Sequence, residues 1–86
     1  MLIYEIPYDE DKTPNAFSDS LSFIDTNDDE YCFFKAKPNH IHLVCSEKFI
    51  NYFSPLLEVY EAKKLDKLPP LPFTILGGNS ILLINP

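Results

Sequence analysis

Residues 30–45 read EYCFFKAKPNHIHLVC, and this stretch decides the fold. Its two halves, 30–37 and 40–45, are rich in aromatic and β-branched residues and read as strands. Pro38-Asn39 between them is turn chemistry, so the pair predicts an antiparallel hairpin. A symmetric loop about Pro38-Asn39 places Ala36 opposite Ile41, Phe34 opposite Leu43 and Cys32 opposite Cys45. Those six apolar side chains then share one face. Tyr31, Phe33, Lys35, His42 and Val44 fall on the other, and a one-residue slip would mix the two.

On the N-terminal side, residues 2–8 (LIYEIPY) read as a first strand. Leu2, Tyr4, Ile6 and Tyr8 alternate onto one face. Pro7 lacks an N–H, so that end belongs at an edge or near the strand terminus. Residues 9–16 read as a loop. Residues 14–24 admit two readings. Thr13-Pro14 resembles a helix start, and Phe17, Leu21 and Ile24 make a helical stripe. Leu21 and Phe23 also alternate with serines before the turn residues Asp25-Thr26-Asn27-Asp28. The favoured expectation is a short helical turn at 14–18 and a strand over about 20–25 that enters a hairpin.

On the C-terminal side, Ser46 is the expected helix N-cap, with Glu47 in the first turn. Phe49, Phe53, Leu56 and Tyr60 form the apolar stripe. Ser54-Pro55 interrupts it, which predicts a kink or two short helices, 46–53 and 55–66, with Lys63, Lys64 and Lys67 in the last turn. Pro69, Pro70 and Pro72 stop the helix and make a rigid connector. Residues 73–84 read as a hairpin about Gly77-Gly78-Asn79-Ser80. Both its strands are apolar at nearly every position, so they are buried on two faces or meet a partner. The expected fold is therefore a small single α+β domain over residues 1–86. It has an antiparallel β-sheet (N-terminal meander plus C-terminal hairpin) with one proline-kinked helix packed on one face.

The chain has 86 residues, with 13 acids against 7 lysines, no arginine and a net charge of −6. Missing arginine and an acidic balance argue against direct binding of nucleic acid or an anionic membrane. The longest apolar runs fall far short of a bilayer span of roughly 20 residues. The N-terminus lacks a basic region before its apolar residues, unlike a signal peptide, so a cytoplasmic location with reduced thiols is the expectation.

The charge is unevenly placed. Residues 1–30 carry nine acids and one lysine, a net of −8, while residues 31–86 carry a net of +2. The acids concentrate in Asp9-Glu10-Asp11 and in Asp28-Asp29-Glu30, near Asp25. The expected function is a non-catalytic, acidic protein-binding module. Asp9, Glu10, Asp11, Asp25, Asp28, Asp29 and Glu30 would dock on a basic surface of a partner protein, with Tyr8 and Tyr31 as amphipathic neighbours. An inhibitor that mimics nucleic acid, of the phage anti-defence type, fits this pattern. The alternative is a structural or regulatory subunit, or a homodimer, joined through the apolar C-terminal hairpin.

Other chemistry has less support. His40 and His42 project to one strand face and Cys45 to the other, so parity breaks the one metal-like cluster, and no metal or cofactor is expected. Cys32 and Cys45 face each other in the expected register as buried free thiols. The GGNS stretch has neither a lysine nor a following helix, and reads as a turn rather than a phosphate loop. No spacing resembles a nucleophile with its base, so no enzyme is expected.

Overall fold

The structure is a computed structural model that describes residues 1–8 and 30–84. The loop expected at 9–16, the helix-or-strand segment at 14–24 and the turn at 25–28 lie outside the described residues. The elements are β1 (Leu2–Pro7), β2 (Tyr31–Lys35), β3 (His40–Cys45), a helix α1 (Ile50–Val59), β4 (Lys63–Leu65), β5 (Thr74–Gly78) and a 3-10 turn (Ser80–Leu83). The strands form one five-stranded sheet in the order β4-β1-β3-β2-β5, every neighbouring pair antiparallel. With the helix on one face, this is the expected small α+β domain.

The β2–β3 hairpin forms, but its register is one residue away from the symmetric one. Tyr31 faces Cys45, Cys32 faces Val44, Phe33 faces Leu43 and Phe34 faces His42. Asn39 takes a left-handed φ of 61°. The connection is thus an odd-numbered loop centred on Pro38, not a two-residue turn. The slip sacrifices no burial because both faces are covered. Tyr31, Phe33, Ile41, Leu43 and Cys45 join a first core under the helix. Cys32, Phe34 and Val44 join a second core on the other face. The two thiols consequently lie on opposite sides of the sheet and do not face each other; both are free and buried.

β1 pairs with β3 rather than opening a meander. Its alternation explains the choice. Leu2, Tyr4 and Ile6 stand opposite Cys45, Leu43 and Ile41, so the core face of β1 continues that of β3. The Tyr8 amide donates to the Asn39 carbonyl at 2.9 Å, extending the ladder into the loop.

The helix is one element, not two. It runs from Ile50 to Val59 through Pro55. A mid-helix proline costs about 3 kcal/mol. Fully burying a side chain such as Phe53 or Leu57 recovers about 1.5–3 kcal/mol each, and both are buried in the first core with Phe49, Ile50, Leu56 and Tyr60 packed beside them. Packing wins over propensity. Ser46 is not the cap: Phe49 holds that position without a side-chain hydrogen bond, and the Ser46 hydroxyl is buried and unpartnered.

The helix ends in a Schellman motif. The Glu61 amide donates to the Glu58 carbonyl at 3.2 Å and the Ala62 amide to the Leu57 carbonyl at 2.8 Å. Glu61 takes the left-handed position, φ 54°. This reversal sends Lys63–Leu65 back along β1 as a strand, Lys63 opposite Glu5, instead of into a last helical turn.

The C-terminal hairpin is also replaced. β5 pairs with β2, and a register shift between Phe33 and Phe34 leaves Leu76 bulged. Gly78 has φ +89°, and a Cβ there would lie 2.3 Å from the Tyr31 carbonyl oxygen. Asn79 then accepts from the Ile81 amide at 3.1 Å, which starts the 3-10 turn. The turn folds Leu82 and Leu83 onto the second core, so the ILLI run caps that core instead of returning as a strand.

Candidate functional site

Of the residues expected to meet a partner, Asp9, Glu10, Asp11, Asp25, Asp28 and Asp29 lie outside the described residues. Glu30 is half-exposed, and its Oε1 lies 3.9 Å from Lys48 Nζ. Tyr8 and Tyr31 are 9% and 2% exposed and belong to the first core. Their alternation within strands that are buried on this face carries them inward. Tyr31 packs against Phe53 with ring centroids 5.6 Å apart.

A group of polar side chains sits on the opposite face of the sheet. In the β1–β3 ladder Glu5 faces His42 and Pro7 faces His40. Parity therefore places Glu5, His40 and His42 together on the face away from the helix. Glu5 Oε1 lies 3.8 Å from His42 Nε2 and 3.9 Å from His40 Nε2. Lys37, from the hairpin loop, forms an ion pair with the same carboxylate oxygen.

The two histidines differ. His40 is partly exposed, and its Nδ1 meets the Pro38 carbonyl oxygen at 3.0 Å. A carbonyl only accepts, so Nδ1 is the donor in that contact. His42 is 0% exposed, stacked on Phe34 at 5.2 Å, and neither ring nitrogen has a hydrogen-bond partner. Burial pushes the His42 imidazole below its ordinary value, opposed by the facing Glu5 carboxylate. The Lys37 hydrogen bond holds the Glu5 carboxyl below the usual carboxylate range, with burial pulling the other way.

This group borders a cleft of about 440 Å³ whose lining includes Glu5, Lys37, His42, Lys63, Lys67 and Pro70. The cleft mouth is lysine-rich in a chain whose net charge is −6.

The thiols offer little reactivity. Burial raises both Cys32 and Cys45 to about 11, which leaves them protonated at neutral pH.

A second surface lies at the C-terminal end. Leu71, Ile81 and Ile84 are 78%, 62% and 75% exposed, and Ile75 and Leu76 on the edge strand β5 are also exposed. No helix among the described residues is long and apolar enough to cross a membrane.

No protein-family model, curated protein or solved structure matches this chain.

Glu5 is the residue that sequence reasoning missed. It is the one charged residue in residues 2–8, and His40 and His42 are the polar positions of the run 40–45. Laying the two alternating runs together with polar positions matched would have joined them.

Proposed function

We propose that this protein is a non-catalytic binding module that docks an acidic surface on a basic surface of a partner protein. The observation that carries it is the charge split: a net of −8 in residues 1–30 against +2 in the rest. Long-range attraction of this kind speeds encounter and selects positive partners. If the partner's basic groove normally holds nucleic acid, the module acts as an inhibitor by mimicry. The buried, protonated thiols support the non-catalytic part, because the thiolate is the nucleophile.

The test is capture from an extract of the source cells at low and high salt, using wild type and a variant with Asp9, Glu10, Asp11, Asp28, Asp29 and Glu30 changed to lysine. The expected result is a basic protein retained at low salt, released at high salt and lost with the variant. Retention unchanged by charge reversal overturns the proposal.

A second reading is favoured by the exposed apolar side chains at Leu71, Ile75, Leu76, Ile81 and Ile84. Here the occupant is a second copy of this chain, joined at the edge strand β5. Sedimentation at micromolar concentration should show a dimer that survives high salt and that Ile81→Asp dissociates. A strict monomer rejects this reading.

A further inference from the structure

We propose that the lysine-rich cleft beside His42 is a binding site for a phosphate monoester with a small apolar body. The cleft gathers four of the chain's seven lysines, Lys37, Lys63, Lys64 and Lys67, against two acids, Glu5 and Asp66. It is thus a locally positive hollow in a chain whose net charge is −6. Its volume of about 440 Å³ falls in the range of clefts that hold small organic molecules, roughly 300–1,000 Å³.

Three observations point to an anion. First, the positive charge is not neutralised. Lys37 pairs with Glu5, but Lys63, Lys64 and Lys67 have no ion pair with a described residue. Lys63 stands opposite Glu5 across the β1–β4 ladder, so the backbone holds a second lysine beside the same carboxylate. Second, His42 borders the cleft, fully buried, with both ring nitrogens unpartnered. A neutral imidazole carries one N–H that needs an acceptor. Glu5 Oε1, 3.8 Å from His42 Nε2, is too far to serve while it is paired with Lys37. A phosphate that draws the Lys37 ammonium to itself frees Glu5 to close that gap. Ligand binding thereby supplies His42 with the partner it lacks. Third, Leu68, Pro69 and Pro70 line the same cleft and give it an apolar wall.

The chemistry favours phosphate over carboxylate. A carboxylate is best met by the planar fork of arginine, which this chain lacks. Lysine ammonium groups act as point charges and suit oxygens that spread around a phosphorus atom. A phosphate monoester carries a charge of about −1.5 to −2 at neutral pH. That matches the excess of lysines over acids in the lining. The apolar wall suits an organic body, which a bare inorganic phosphate does not have. The site uses none of the residues assigned to the acidic docking surface, so either proposal can fail alone.

The test is titration of the protein with phenyl phosphate and with inorganic phosphate, followed by calorimetry and by NMR of the histidine rings. Phenyl phosphate should bind at one site and more tightly than inorganic phosphate. The His42 ring signals should move as the site fills. Loose attraction to exposed lysines would leave that buried ring unchanged. Lys63→Ala and Lys67→Ala should each weaken binding by about tenfold, the loss of roughly one hydrogen bond to a charged group. Glu5→Gln should tighten it, because the change frees Lys37 and removes a like charge. Lys63 and Lys67 are exposed, so their variants are expected to fold, and circular dichroism checks all three. No saturable binding of phenyl phosphate, equal affinity for inorganic phosphate, or undiminished binding by the folded Lys63→Ala/Lys67→Ala double variant overturns the proposal. So does an unmoved His42 ring, or weaker binding by folded Glu5→Gln.

Discussion

Glu5 stands directly opposite His42 across the β1–β3 ladder, yet 3.8 Å separates Glu5 Oε1 from His42 Nε2, too long for a hydrogen bond. A fully buried imidazole is therefore stacked on Phe34 with neither ring nitrogen in a hydrogen bond. Replacing it by an apolar residue of similar volume removes the unsatisfied nitrogens. His42→Leu should leave urea-unfolding stability within about 1 kcal/mol of wild type or raise it. His42→Ala, which opens a cavity, should cost about 2 kcal/mol or more. A large loss for His42→Leu would mean that the imidazole has a structural polar role after all.

The two adjacent glycines should respond in opposite ways. A Cβ at Gly78 would lie 2.3 Å from the Tyr31 carbonyl oxygen and 2.8 Å from Cys32 Cα, in a backbone conformation with φ +89°. Both contacts are backbone and cannot yield cheaply. Gly78→Ala should cost about 2 kcal/mol or more, combining a left-handed penalty with displacement of β5 from β2. At Gly77 nothing lies within 4 Å of the added carbon, so Gly77→Ala should be neutral or stabilise by up to about 1 kcal/mol. Thermal melts of the pair decide it.

Glu61 occupies the left-handed position of the Schellman motif, where glycine is the usual residue. Glu61→Gly should stabilise the fold by roughly 0.5–1 kcal/mol, the left-handed strain relieved less the entropy that glycine adds to the unfolded chain. A destabilised Glu61→Gly protein, measured by chemical denaturation, would show that the glutamate side chain has a role of its own at this reversal.

Cys32 and Cys45 are raised by burial from an ordinary 9.0 to about 11. Above pH 9 the unfolded chain releases thiol protons that the folded chain still holds. Stability should therefore fall as pH rises from about 9 towards 11, and this contribution is fully present below 9. A Cys32→Ala/Cys45→Ala double variant should lose that part of the alkaline slope. At neutral pH, alkylation of both thiols should be slow in the native protein and fast in denaturant. Rapid native labelling would contradict the burial.

Several features were legible without coordinates. The alternation of Leu2, Tyr4, Ile6 and Tyr8 placed those residues on one face, where they line the first core. The β2–β3 hairpin and the helix stripe of Phe49, Phe53, Leu56 and Tyr60 were likewise visible, because period-two and period-3.6 patterns are local. What failed has a common cause. The hairpin register depended on Asn39 adopting a left-handed conformation, and with apolar residues on both faces of β2 and β3 hydrophobicity imposed no penalty on a slip. Between the two helix readings, a single proline-containing helix or two short ones, the choice depended on Phe53 and Leu57 gaining more from the core than Pro55 lost in hydrogen bonding. The fate of ILLI depended on a second core that needed Leu82 and Leu83 to cover it.

The sequence by itself determined the α+β class, the faces of the first strand and the division of charge between residues 1–30 and the remainder. These follow from patterns along the chain. Only the tertiary structure decided that β1 lies against β3, because strand pairing is a choice among distant partners with similar apolar faces. That pairing brought Glu5 to the two histidines, while the β2–β3 register put Tyr31 in the first core and separated the two cysteines. The cluster exists because two polar positions, far apart in sequence, fall on the same side of neighbouring strands.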